Sequence, residues 1–145
     1  MIEVYDDAGR TLLLRLLAEH PEWEEGLEAG RASEIPFETV HPRLHIPSEH
    51  PTIHTPLTVE LGGTLQLFWH GGYFFDFIWE DIATEAFKFL GRFFEEEVRC
   101  GVCFRDGKVI AGGPVEEDGI PFSLADWDRI EVRSWRGNRD ETAYR

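Results

Sequence analysis

Two glycine pairs divide the middle of the chain into three short alternating runs, and this restricts the fold more than any other feature. Leu57, Val59 and Leu61 alternate with polar residues, as do Leu65, Leu67 and Trp69. For both apolar sets to share one face, Leu61 must oppose Leu65. That leaves Gly62-Gly63-Thr64 as a three-residue loop, where glycine supplies the positive φ such a loop requires. Gly71-Gly72 predicts a second hairpin that pairs Trp69 with Phe74 and Leu67 with Asp76. Phe68, Tyr73, Phe75 and Phe77 are then expected on the opposite face. The centre reads as an antiparallel β-meander.

The flanking segments extend this pattern. Asp81 is placed to cap a helix running to about Glu97, with Ile82, Ala86, Phe87, Leu90, Phe93 and Phe94 as its apolar stripe. Eleven of the 19 aromatic residues lie between Phe68 and Phe94, so the core is expected there. Val98–Phe104 and Lys108–Gly113 read as a hairpin on the Asp106-Gly107 turn. Ser123 and Asp126 read as a capped turn, and Arg129–Trp135 as a last alternating strand. Before the meander, Ile2–Tyr5 reads as a short strand. A helix from about Arg10 to Glu19 follows, burying Leu12, Leu13, Leu16 and Leu17, and Pro21 stops it. Residues 36–56 hold Pro36, Pro42, Pro47, Pro51 and Pro56 and predict an extended wrap rather than helix or central strand. Residues 138–145 read as a polar tail. The expected whole is a single α+β domain over residues 1–145, in which an antiparallel sheet (meander plus hairpin) packs against one long helix, with an additional N-terminal helix.

Charge narrows the function. Fourteen basic and 28 acidic residues give a formal net charge of −14. Such a chain is disfavoured as a nucleic-acid binder, whose affinity rests on cations meeting phosphates, and as a ligand of anionic membrane surfaces. No apolar run approaches the ~18 residues of a spanning helix. Thr11–Ala18 is leucine-rich but short and preceded by acidic residues, unlike a signal peptide. A cytoplasmic location is expected.

Several constellations invite a catalytic or metal reading. Cys100-Gly-Val-Cys103 has redox spacing, but the alternation of a strand sends the two thiols to opposite faces, as buried structural groups. His41, His45, His50 and His54 could ligate zinc if they shared a helix, yet Pro42, Pro47 and Pro51 interrupt one. His70, Tyr73, Asp76, Glu80 and Asp81 surround the second glycine turn. Paired with Leu67, Asp76 would carry a charge onto the apolar face and need a partner, and beside His70 it could serve acid–base chemistry. GxxxxGK[ST], GxGxxG and GxSxG motifs are absent. No cofactor, no bound metal and no catalytic residue is therefore expected.

Three acidic clusters remain: Glu22, Glu24, Glu25 and Glu28; Glu95, Glu96 and Glu97; and Glu116, Glu117 and Asp118. They are expected to meet a basic protein partner, with Trp23 as an exposed aromatic anchor. The Pro56–Gly113 segment carries the strand pair LFWHGGYFFDF, the phenylalanine-rich helix and the hairpin DGKVIAGG. It resembles small acidic bacterial immunity proteins of polymorphic and contact-dependent toxin systems. The resemblance implies a non-catalytic cytoplasmic inhibitor that occludes a basic toxin's active or substrate-binding surface, and it carries over no particular residue. Two other readings are a small metal-binding protein or metal-dependent enzyme using His41–His54, and a structural subunit of a larger assembly.

Overall fold

A computed structural model describes residues 7–28, 43–61, 65–70, 73–77, 82–120 and 126–145. Helix α1 (Asp7–Glu19) leads into a 3₁₀ helix, Pro21–Gly26, and a two-residue strand β1 (Leu27–Glu28). Strands β2 (Arg43–Ile46), β3 (Leu57–Leu61), β4 (Leu65–Phe68) and β5 (Tyr73–Phe77) follow, then helix α2 (Ile82–Phe94). The chain ends with β6 (Arg99–Arg105), β7 (Lys108–Val115), β8 (Arg129–Arg133) and β9 (Glu141–Tyr144). Among the described residues these form two antiparallel sheets, β1-β2-β3-β4-β5 and β7-β6-β8-β9. The architecture is α+β.

The meander and the later hairpin, expected in one sheet, fall in two, and the two expected helices are both present at 13 residues each, so neither dominates as the one long helix expected. Helix α2 stops at Phe94 because Glu96 turns left-handed, with φ 62°. The Glu97 amide then reaches back to the Arg92 carbonyl at 2.8 Å, and the Glu96 amide to the Phe93 carbonyl at 3.0 Å. This crossed pair is a Schellman-type end, which satisfies carbonyls the helix leaves open. A non-glycine residue pays strain there. Here its carboxylate compensates, accepting from the Arg136 amide at 2.6 Å, the Asn138 amide at 3.3 Å and Asn138 Nδ2 at 2.8 Å.

Leu61 opposes Leu65, as the meander requires. The second hairpin departs from its expected register. Phe68 pairs with Tyr73 but Leu67 pairs with Phe75, so β5 has one extra residue at an irregularity between Leu67 and Phe68. Asp76 consequently lies across from Gln66, and Leu67 faces Phe75. One inserted residue exchanges the two faces of a strand.

Two further expectations are corrected. Within the proline-rich stretch, β2 is an interior strand between β1 and β3. Pro42 and Pro47 flank the run 43–46 without entering it, so its backbone donors are intact. Within 138–145, Glu141–Tyr144 is not a tail but pairs with β8. Arg133 ties it down, donating to the Glu141 carbonyl and Thr142 Oγ1 at 2.9 Å each. The Ile2–Tyr5 strand, the Asp81 cap, Glu80 and Ser123 lie outside the described residues.

The main core gathers Leu12, Leu13 and Leu16 of α1, Ala86, Leu90 and Phe93 of α2, and the inward residues of β2–β4. A second cluster of Cys103, Val115, Trp127, Ile130 and Val132 lies on the other side of β6. Cys100 belongs to the first and Cys103 to the second, as period-2 alternation predicts. Both thiols are free and buried, and burial raises the pKa of each. They are chemically quiet core residues.

Candidate functional site

Three groups of polar side chains stand out, and each draws on more than one segment of the chain. The first lies where the two sheets meet. His50, in the loop after β2, is buried, and its Nδ1 accepts the amides of Thr52 at 3.1 Å and Ile53 at 3.2 Å. Two N–H donors on Nδ1 place the ring proton on Nε2, which donates to Asp140 Oδ2 at 2.7 Å. Asp140 Oδ1 in turn accepts the Ser134 amide at 2.9 Å. Nearby in the same layer, His70 Nε2 lies 2.8 Å from Glu131 Oε1 of β8. Glu131 also holds Arg129 Nε at 3.0 Å and an Arg133 guanidinium nitrogen at 3.4 Å. The indole of Trp69 packs against His50, His70, Phe93 and Trp135, with ring centroids 5.2–6.3 Å apart.

Among the described side chains the carboxylate that meets His70 is Glu131, whose strand arrives more than fifty residues later, and in the backbone register Asp76 lies across from Gln66. His70 is tied to β8 through Glu131, and His50 to the segment between β8 and β9 through Asp140, so both pairs hold the two sheets together. Burial lowers the pKa of His70, outweighing the pull of Glu131 in the other direction. In the unfolded chain histidine titrates near 6.5. A depressed folded pKa therefore stabilises the fold above that pH, and the stabilisation is lost as pH falls through the folded value. Wild-type protein is expected to lose more of its urea midpoint between pH 7.5 and pH 5 than His70→Gln does. Equal losses would remove His70 from this role.

The second group occupies the outer face of the first sheet. Arg43 and His45 alternate with buried Leu44 and Ile46, and Thr58 and Glu60 alternate with buried Leu57, Val59 and Leu61. The register sets Arg43 across from Glu60, His45 across from Thr58, and Thr58 across from Phe68. Arg43, His45, Thr58, Glu60 and Phe68 line a recess of about 290 Å³. His45 Nε2 meets Glu28 Oε2 at 2.6 Å, and its Nδ1 meets Thr58 Oγ1 at 2.9 Å.

The histidine stretch thus disperses. His45 lines this recess, His50 is locked between the sheets, His54 is exposed and His41 lies outside the described residues. Both ring nitrogens of His45 and of His50 are already engaged by protein groups. Among the described residues no cluster of three histidine, cysteine or acidic side chains could hold a metal ion.

The third group is acidic. Glu22, Glu24 and Glu25 project from the 3₁₀ helix, exposed, whereas Trp23 between them is buried. Trp23 stacks on His20 with centroids 3.8 Å apart and packs against Phe94 at 5.5 Å. It is a core residue and not the exposed anchor expected. In a 3₁₀ helix an aromatic at one position can face inward while its neighbours face water. Glu28 departs from its cluster, crossing to His45 on the sheet. Glu95 and Glu97 are exposed, but Glu96 is buried in the helix-ending role described above, which withdraws it from any partner surface.

Glu116, Glu117 and Asp118 are exposed as well. Glu116 accepts from Arg92 of α2 at 2.7 Å, and Arg139 bridges Asp118 to the Glu96 carbonyl. The Trp23–Phe94 and Arg92–Glu116 contacts therefore bring all three acidic clusters to the C-terminal end of α2. Eight exposed carboxylates result: Glu22, Glu24, Glu25, Glu95, Glu97, Glu116, Glu117 and Asp118. No helix among the described residues is long and apolar enough to cross a membrane. The chain matches no family model, no curated protein and no solved structure.

Proposed function

We propose that this chain is a non-catalytic acidic binding protein that neutralises a basic partner by covering the surface that would hold its substrate, as immunity proteins do. One observation carries the reading. Three acidic clusters separated by up to ninety-odd residues are gathered around one helix end, where eight carboxylates are exposed and two of them, Glu116 and Asp118, are paired with Arg92 and Arg139. Acidic runs scattered over a surface only maintain solubility, whereas runs drawn together produce a directed field. Such a field speeds encounter with a cationic surface and rejects acidic competitors, and it acts within a Debye length of ~8–10 Å. The mechanism is occlusion, in which carboxylates of the rim pair with the cations a nuclease-like effector uses to grip phosphate.

The test begins with capture of the partner from host lysate at low and high salt, identified by mass spectrometry. Association is then measured with a variant carrying Glu22→Gln, Glu24→Gln, Glu25→Gln, Glu95→Gln and Glu97→Gln. The on-rate is expected to fall about tenfold or more at low salt, with the difference closing at high salt. An unchanged on-rate at low salt would clear the rim of involvement.

A further inference from the structure

The recess on the outer face of the first sheet is built from β2, β3 and β4 and takes no residue from the acidic rim. Its polar groups differ in how fully they are engaged. His45 has both ring nitrogens hydrogen-bonded, at 2.6 Å to Glu28 and 2.9 Å to Thr58, so the ring is fixed and forms part of the wall. Glu60 is less completely satisfied. Arg43 Nε approaches Glu60 Oε2 only to 3.4 Å, well beyond the ~2.7–2.9 Å of a charge-assisted hydrogen bond. Arg43 is also the outer member of this pair, with its side chain 44% exposed against 24% for Glu60. An ionised carboxylate offers about four lone-pair sites. The Glu60 carboxylate therefore has acceptor capacity beyond this one long contact, and Phe68 adds an aromatic wall.

We propose that this recess receives one arginine side chain presented by the basic partner, as the anchor that the buried Trp23 cannot provide. The proposal rests on the binding-protein reading and deepens it. A guest arginine lays its aliphatic stem along Phe68 and turns its planar guanidinium onto Glu60, and Arg43 swings outward to solvent. Two parallel N–H···O bonds then replace one long contact, the geometry in which guanidinium recognises carboxylate best. Charge selects the guest. The under-satisfied acceptor that lines the recess is the Glu60 carboxylate, so the guest that pairs with it is a cation and not an anion. A neutral guest would cover Glu60 without pairing it, at a desolvation cost. The rim would supply rate, and the recess would supply residence time.

Titration of the intact protein with Nα-acetyl-arginine methylamide, followed by ¹H–¹⁵N NMR, tests this without the partner. Saturable shifts are expected at residues 43–45, 58–60 and 68. Affinity is expected to drop at least tenfold for the uncharged citrulline analogue and for Glu60→Gln, whose retained spectral dispersion would show that it is folded. The rim variant with five glutamines should bind the probe as wild type does. Equal binding of the citrulline analogue, shifts confined to the rim, or no saturable shift would each overturn the proposal. Failure to capture a basic partner while the recess still selects the arginine probe would instead count against the inhibitor reading alone.

Discussion

Arg99→Ala is expected to cost about 3–5 kcal/mol of folding stability, the range for removing one member of a buried charged network. Arg99 opens β6 and is 1% exposed. Its guanidinium donates to four oxygens: the carbonyls of Arg139 at 3.0 Å, Glu117 at 2.9 Å and Gly119 at 2.7 Å, and the Glu141 carboxylate. One planar fork thus ties the loop after β7 and the start of β9 to the central strand of the second sheet. Truncation leaves three carbonyls without that donor, and each unmet buried acceptor costs on the order of 1–3 kcal/mol. Against a total stability of ~5–15 kcal/mol, this decides whether the sheet persists. Lysine keeps the charge but not the fork and should recover less than half of the loss. Urea denaturation of the two variants provides the check. A loss under about 1 kcal/mol for alanine would mean that water replaces the guanidinium there.

Gly26→Ala is expected to cost about 2–3 kcal/mol, at the upper end for overpacking, and to disturb the recess from behind. A Cβ at position 26 would stand 2.1 Å from the His45 carbonyl oxygen and 3.1 Å from its carbon. Those atoms are backbone of an interior strand and cannot rotate away, so the 3₁₀ helix and β1 must retreat from β2. Glu28 rides on β1 and would be drawn off His45, which it now meets at 2.6 Å. The His45 ring ¹⁵N resonances should therefore change together with the denaturation midpoint. An alanine variant with wild-type stability and unchanged His45 signals would show that the approach relaxes at no cost.

The recess and the acidic rim were legible to different degrees. The glutamates are plain in the sequence, but their assembly is not. Glu116 joins the end of α2 through Arg92, and Trp23 joins it through Phe94. Glu96 looked like its neighbours, yet it is the one that turns left-handed and folds its carboxylate onto the Arg136 and Asn138 amides. Its buried role depends on a loop forty residues away. The recess had a faint signal in the alternation Arg43-Leu44-His45-Ile46 beside Thr58-Val59-Glu60, which marks one polar and one apolar face. Prolines on either side concealed it, since five of them in one stretch argue against an interior strand. The Glu131 partner of His70 left no local signal, because it comes from a strand paired across the second sheet.

By itself the sequence determined what local physics can determine. Glycine turns and period-2 alternation set the Leu61–Leu65 hairpin and the β6–β7 hairpin, 3.6-residue stripes set α1 and α2, and three residues of spacing separated Cys100 from Cys103. Each depends on a φ requirement or a face preference felt within a few residues. Tertiary structure alone decided that β8 pairs with β6, that Glu141–Tyr144 becomes an edge strand and that Arg99 is buried. It also decided that one extra residue in β5 moves Asp76 opposite Gln66. These outcomes depend on which surfaces cover one another once the chain closes. That choice is made by the summed burial and hydrogen bonding of segments far apart in sequence, and no short window of residues contains it.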